Sequence, residues 1–198
     1  AYFGHREIAC YLLIERAANL EAVNNRGLTP LLLAAEQGHV DVLKCLLCQA
    51  NANAEATNKR GANVLGIASS HGHVEIVRQL VVLGLATFQQ HRHRPSFANP
   101  EAADDFGMTP LLHASKQGHL DALTYLLHEA GADAQATNRD GTGALGTAST
   151  FGHIAVVRYL LTEARANLEA TNDVLNTPLL LAAYGGHVDV LKYLLDKA

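Results

Sequence analysis

The chain of 198 residues carries a formal net charge of −4, and its 15 lysine and arginine residues are scattered along the sequence. Because no basic patch or run is present, the charge pattern argues against a nucleic-acid partner. No apolar run approaches the about 20 residues that a membrane-spanning helix needs, and no signal peptide is visible, so we expect no membrane insertion.

A Gly-His pair opens an apolar stretch six times along the chain. The glycines of successive pairs lie 34, 34, 46, 34 and 34 residues apart, so one unit recurs with a single insertion of 12 residues. Self-similarity at this period predicts one stacked array of short units, each packing only on its neighbours, rather than two globular domains. The pairs begin at Gly4, Gly38, Gly72, Gly118, Gly152 and Gly186.

The second copy shows why each unit should hold two short helices. Thr29 can cap a helix that begins at Pro30, because proline has no N–H to satisfy at the first helical position. Apolar residues follow at helical spacing, and Gly38 can adopt the left-handed conformation that closes a helix. A second apolar stripe over residues 40–47 predicts another helix, antiparallel to the first, after a very tight turn.

These residues resemble the ankyrin repeat, whose motif of Gly-x-Thr-Pro-Leu, then Ala-Ala-x-x-Gly-His, then Leu-Leu matches residues 27–47 in order. The resemblance covers nearly the whole chain outside the insertion. It implies an all-α solenoid in which each helix-turn-helix unit is preceded by a β-hairpin-like loop. It also implies that the imidazole of each Gly-His pair bonds backbone groups of a neighbouring unit.

In chain order we expect one ankyrin-repeat domain over residues 1–198 with six repeats. Repeats one and six are incomplete and neither end shows a polar cap, so we expect the parent protein to continue in both directions. Repeats three and five lose the proline and place Gly66 and Gly146 inside the first helix, which should weaken it. The expected bounds are 1–23, 24–57, 58–86, 104–137, 138–171 and 172–198, with an inserted loop at about 84–103.

Leu175 departs from the pattern, because glycine holds the equivalent hairpin position in repeats two to five. A positive φ is expected at this position, and leucine disfavours it. Either that turn is rebuilt or Asn176 takes the left-handed conformation.

The inserted loop is the least repetitive segment and contains His91, Arg92, His93 and Arg94. Three interpretations are open: a solvated surface loop, contact of the arginines with an acidic or phosphorylated partner, or a contribution of the histidines to a zinc site. Two histidines two residues apart are a weak metal signal, so we predict no metal site.

No pattern in the sequence supports catalysis. Six of the eleven histidines belong to the Gly-His pairs, and no Ser-His-Asp context, phosphate-binding glycine loop or His-Glu-x-x-His motif is present. We therefore expect neither an enzyme nor a bound cofactor.

The cysteine content bears on location. Cys10, Cys45 and Cys48 are an odd number in a sequence without a secretory signal. This predicts packed or partly exposed thiols and an intracellular location, in the cytoplasm, with the nucleus as an alternative.

The first function hypothesis is a monomeric module that binds a partner protein or peptide through the concave face of the stack. The alternative is a structural spacer or targeting region of a larger multidomain protein. The two residues before each Gly-His pair end the first helix, and the resemblance places them along the inner groove. Phe151 and Tyr184 are candidate hot spots, because the apolar stripe requires neither ring; the alternative is that both rings pack against adjacent helices. The candidate partner-binding residues are Glu36, Gln37, Ser70, His71, Lys116, Gln117, Thr150, Phe151 and Tyr184, together with Arg92 and Arg94 in the loop.

Overall fold

A computed structural model describes residues 7–8, 11, 18–48, 50, 52–91 and 98–198. Within these residues the chain forms ten α-helices in five consecutive pairs, and the first helix of each pair packs against the first helices of the neighbouring pairs. The all-α solenoid predicted from the sequence is therefore confirmed. The helices are α1 (Pro30–Gln37), α2 (Val40–Cys48), α3 (Val64–Ser70), α4 (Val74–His91), α5 (Pro110–Gln117), α6 (Leu120–Tyr125, continued by a π-helical turn over Leu126–Ala130), α7 (Ala144–Thr150), α8 (Ile154–Thr162), α9 (Pro178–Gly185) and α10 (Val188–Leu195).

The first helices of repeats two, four and six begin where the Thr-Pro pair predicts. At α1 the hydroxyl oxygen of Thr29 accepts a hydrogen bond at 3.3 Å from the N–H three residues later, Pro30 is the first helical residue, and Gly38 ends the helix with a φ of 78°. Thr109 and Thr177 cap α5 and α9 in the same way. The cap prediction is therefore confirmed at all three Thr-Pro sites.

Repeats three and five start their first helices without proline. Asn63 caps α3 through its side-chain oxygen, which accepts from the Gly66 N–H at 2.9 Å, whereas Gly143 offers α7 no side-chain cap. Each of these helices has 7 residues, against 8 in α1, α5 and α9. The weaker stability expected for these two helices stays a prediction.

Each hairpin is built around a side chain that closes a turn. In repeat two the side-chain oxygen of Asn24 accepts hydrogen bonds from the N–H groups of Arg26 and Leu28, and Gly27 supplies a φ of 77°. Asn58, Asp104, Asn138 and Asn172 accept the equivalent pairs of bonds. One backbone hydrogen bond joins each pair of consecutive hairpins, the first from Lys59 N to Arg26 O at 3.1 Å. The hairpin tips therefore form a continuous rim along the stack.

The hairpin of repeat six keeps this geometry despite its leucine. Leu175 itself adopts a φ of 63°, and its N–H donates to Asn172 O at 2.9 Å, as the glycines do in the earlier hairpins. Both expected alternatives, a rebuilt turn and a left-handed Asn176, are therefore wrong. The Asn172 side chain and the backbone bond from the preceding hairpin hold the turn, so the leucine takes the strained conformation.

The insertion lengthens a helix before any loop begins. Helix α4 has 18 residues and runs to His91, so segment 84–91 is helical where a loop was expected. No proline interrupts this segment, and its one glycine costs only about 1 kcal/mol, which does not end a helix that is already packed. The repeat pattern resumes at Asn99, whose side-chain oxygen accepts from the Glu101 N–H at 3.0 Å.

Histidines of the Gly-His pairs join neighbouring repeats. The Nε2 atom of His73 lies 2.9 Å from the carbonyl oxygen of Glu36 in the preceding repeat. His153 and His187 make the same contact with the repeat that precedes each of them, at 2.8 and 2.9 Å. Because a carbonyl oxygen only accepts, each Nε2 carries the proton. These bonds are the ones that the resemblance implied.

The two described cysteines differ. Cys45 is buried and disulfide-bonded, whereas Cys48 is an exposed free thiol. The expectation of thiols is therefore wrong for Cys45. Since a disulfide is typical of oxidising environments, the cysteines no longer argue for an intracellular location.

Candidate partner-binding groove

The ends of the first helices and the hairpin tips line a groove along one face of the stack. Its N-terminal section has a volume of about 850 Å³ and is lined by repeats two to five. Its C-terminal section has a volume of about 480 Å³ and is lined by repeats four to six. Met108, Lys116, Asn138 and Asp140 line both sections, so the groove is continuous.

Most candidate residues from the sequence lie at this groove. Glu36, Ser70, His71, Lys116 and Gln117 line the N-terminal section, and Thr150 and Phe151 line the C-terminal section. Gln37 and Tyr184 line neither section, although they hold equivalent repeat positions. Arg92 and Arg94 lie outside the described residues.

The carboxylate of Glu36 is bound by another side chain of the protein. Its side chain is only 9% exposed, and its two carboxylate oxygens each accept a hydrogen bond at 2.7 Å from the guanidinium of Arg26. A bidentate pair of this kind is strong and directional. Glu36 therefore fixes Arg26 at the groove, and the carboxylate itself is not open to a partner.

His71 presents one ring edge to the groove. Its Nδ1 lies 2.9 Å from Ile67 O, so Nδ1 is the donor, and Nε2 points toward Glu36 Oε1 at 4.0 Å. The ring stacks on His73 with centroids 6.2 Å apart and planes 9° from parallel. With 43% of its side chain exposed, His71 is held in position and still accessible.

An acid–base pair lies in the wall of repeat four. His113 Nε2 is 3.2 Å from Asp104 Oδ2, and both side chains line the groove. Burial raises the pKa of Asp104, but the close contact with His113 and the hydrogen bonds from the N–H groups of Met108 and Phe106 outweigh it, so the pKa lies below its usual value. Asp104 is therefore ionised at neutral pH, and with only 4% of its side chain exposed it is buried beside His113.

The C-terminal section contains the aromatic candidate. Phe151 is 46% exposed, and Lys116 Nζ lies 5.3 Å above the centre of its ring, within cation–π range. Thr150 beside it donates its hydroxyl to Gly146 O at 2.8 Å. Phe151 therefore ends α7 with its ring open to the groove, whereas Thr150 is occupied within its own helix.

The hairpin tips also line the groove, although no tip residue was among the candidates named from the sequence. In every repeat from two to six, the residue two positions after the turn-forming Asn or Asp lines the groove. We name these residues the tip row: Arg26, Arg60, Phe106, Asp140 and Val174. The sequence signal for these residues is their fixed offset from each hairpin asparagine or aspartate.

No helix among the described residues is long and apolar enough to cross a membrane. In the same part of the chain, no three His, Cys, Asp or Glu side chains come together as a metal site would require. Some of the ionisable groups of the groove are instead held in pairs, such as Arg26 with Glu36.

A family model described as ankyrin repeats, in three copies, matches residues 1–91, 47–138, 85–172 and 127–198. A search of curated proteins found no match. Since the matches together span the whole sequence, the chain belongs to the ankyrin repeat family. Ankyrin repeats are generally protein–protein interaction modules without enzymatic activity.

Proposed function

We propose that this chain, as a monomer, binds a partner protein or peptide through the groove on the concave face of its repeats. The observation that carries the proposal is a continuous groove whose lining includes exposed side chains that the stack does not require. The apolar contacts between repeats are made by other residues, of which Leu31, Leu65 and Leu111 are almost completely buried.

The tip row supports the same conclusion. Its first four residues join one hairpin to the next through their backbone carbonyl groups, as Arg60 O does by accepting from Asp105 N at 2.9 Å. The side chains of Phe106 and Val174 remain 56% and 73% exposed. Large apolar side chains left open beside a groove are typical of binding surfaces.

Phe151 provides the sharpest test of the groove. Binders are selected from a random peptide display library against the whole chain, and their affinities are measured by fluorescence anisotropy. We expect Phe151→Ala to weaken binding about 30-fold, because an aromatic anchor in a groove contributes about 2 kcal/mol on truncation. Tyr184→Ala is the matched control: its ring is 89% exposed but does not line the groove, so affinity should change less than about twofold.

Two results would contradict the proposal. If Phe151→Ala and Tyr184→Ala have equal effects on affinity, the groove is not the binding surface. If Phe151→Ala instead lowers the unfolding midpoint and the folded variant binds normally, the ring belongs to the stack. Chemical unfolding of each variant separates these outcomes.

A further inference from the structure

The N-terminal section of the groove is cationic on a chain that is acidic overall. Four basic residues line it, Arg26, Lys59, Arg60 and Lys116, against the carboxylates of Glu36, Asp104 and Asp140. The chain as a whole has a net charge of −4. The local excess of positive charge is therefore a property of this surface and not of the composition.

Pairing makes the contrast larger. Glu36 is bound by Arg26, and the Asp104 side chain is only 4% exposed beside His113, so neither carboxylate is open to a partner. None of the ion pairs between described residues involves Lys59, Arg60 or Lys116. What remains open to a partner is three cations against the single carboxylate of Asp140.

The C-terminal section has a different character. Phe151, Val174, Leu181 and Met108 contribute apolar surface. Among the described residues that line this section, Lys116 is the one cation, and it is accompanied by the carboxylates of Asp140 and Asp173. The tip row changes in the same direction, from arginine in repeats two and three to phenylalanine, aspartate and valine in repeats four to six. The groove therefore changes in character along its length, from a basic end to an apolar end.

We propose that the partner is an extended peptide segment with a cluster of aspartate and glutamate residues at one end and a bulky apolar side chain at the other. The acidic cluster lies beside Lys59 and Arg60, and the apolar side chain packs against Phe151 and Val174. This proposal rests on the proposed function and adds the partner's chemistry and its direction along the stack. Complementary charge sets the register of the segment and speeds its encounter, while the apolar anchor slows its release.

The test uses the display selection described above, with charge variants of the full chain. Lys59→Glu/Arg60→Glu reverses two exposed groove cations. Lys44→Glu/Lys192→Glu is the matched control, because both lysines are exposed, lie on the second helices α2 and α10, and undergo the same change of charge.

We expect the selected peptides to be enriched in an acidic cluster followed or preceded by an aromatic or aliphatic residue. Their affinity should fall about tenfold in the groove variant and less than about twofold in the control, and it should weaken as salt is raised. A peptide in which the acidic cluster is replaced by serine should bind both variants equally weakly.

Three results would overturn the inference. If the selected peptides show no acidic enrichment, or ignore Lys59→Glu/Arg60→Glu while still losing affinity with Phe151→Ala, the groove binds a partner of different chemistry. If a single-stranded oligonucleotide competes as well as the unlabelled peptide, the surface recognises polyanions and not a peptide segment. If neither the charge variant nor Phe151→Ala changes binding, the proposed function fails as well.

Discussion

Leu175→Gly should stabilise the protein, although it removes a large apolar side chain. Leu175 has a φ of 63°, in a turn that glycine forms in repeats two to five. The left-handed conformation costs a residue with a Cβ about 1–2 kcal/mol, and glycine loses about 0.5–1 kcal/mol through the entropy of the unfolded chain. Because the leucine side chain is 74% exposed, little apolar burial is lost. The net expectation is a gain of about 1 kcal/mol.

The neighbouring valine provides the control. Val174 is 73% exposed, and among the described residues other than glycine only Arg165 and Leu175 have a positive φ. Val174→Gly should therefore destabilise by about 0.5–1 kcal/mol, since glycine brings its entropic cost without relieving strain. Urea unfolding gives the global difference, and hydrogen exchange at the amides of α9 and α10 reports the local one. If Leu175→Gly is no more stable than Val174→Gly, the strain assigned to this turn is absent.

Two further predictions concern the inside of the stack. Gly66→Ala should raise the free energy of unfolding in urea by about 1 kcal/mol, because an added Cβ would meet its nearest atoms at the ordinary contact distances of 3.5 and 3.7 Å. Gly146→Ala should not raise it, because the added Cβ would lie only 3.0 and 3.1 Å from neighbouring side chains. Burial lowers the pKa of His119, assisted by the charges of nearby histidines and opposed by its bond to Ser70 O, so an NMR titration should place it below 6.5. At a pH near these values the unfolded chain then binds more protons than the folded one. The contribution of His119 to stability is therefore complete above pH 6.5 and is lost as the pH falls from 6.5 through the folded pKa. A titration midpoint at or above 6.5 would contradict this prediction.

Local signals made the helices predictable from the sequence. The Thr-Pro pair fixes a helix start through a cap and a missing N–H, and the following Gly fixes its end, so α1, α5 and α9 have the expected bounds. The fixed period then places each unit beside the next. Neither argument needs to know which distant residues are in contact.

The same reasoning fails where no local signal marks the change. Nothing in the sequence between Leu83 and His91 stops a helix, yet the break in the period suggested a loop there. Arg165 adopts a φ of 52° at the position that Gly131 holds one repeat earlier, and an arginine gives no indication of it. Backbone conformation at such positions is set by the contacts of the whole repeat, which override the preference of the residue.

The groove was only partly predictable from the sequence, for a related reason. Helix ends such as Phe151 were accessible because each precedes a recognisable Gly-His pair. The pairing of Asp104 with His113 was not, because it depends on how a hairpin folds back against the following helix. The ion pair of Glu36 was out of reach for the same reason: helix position places Glu36 at the groove, but Arg26 binds its carboxylate from the hairpin tip.

The tip row shows how a repeat array can separate stability from recognition. At each tip the turn is closed by an Asn or Asp side chain and linked to the next hairpin by a backbone carbonyl, so no stacking contact requires the tip side chain. Four residue types, with arginine used twice, accordingly occupy this position in repeats two to six, and charge can change from Arg60 to Asp140 without altering the turn. Arg26 is the exception, because its guanidinium holds Glu36. A substitution of Arg26 would change stability and binding together, whereas substitutions of Lys59 and Arg60 should change binding alone. The residues that differ between otherwise equivalent repeats are therefore the ones that can determine which partner is bound.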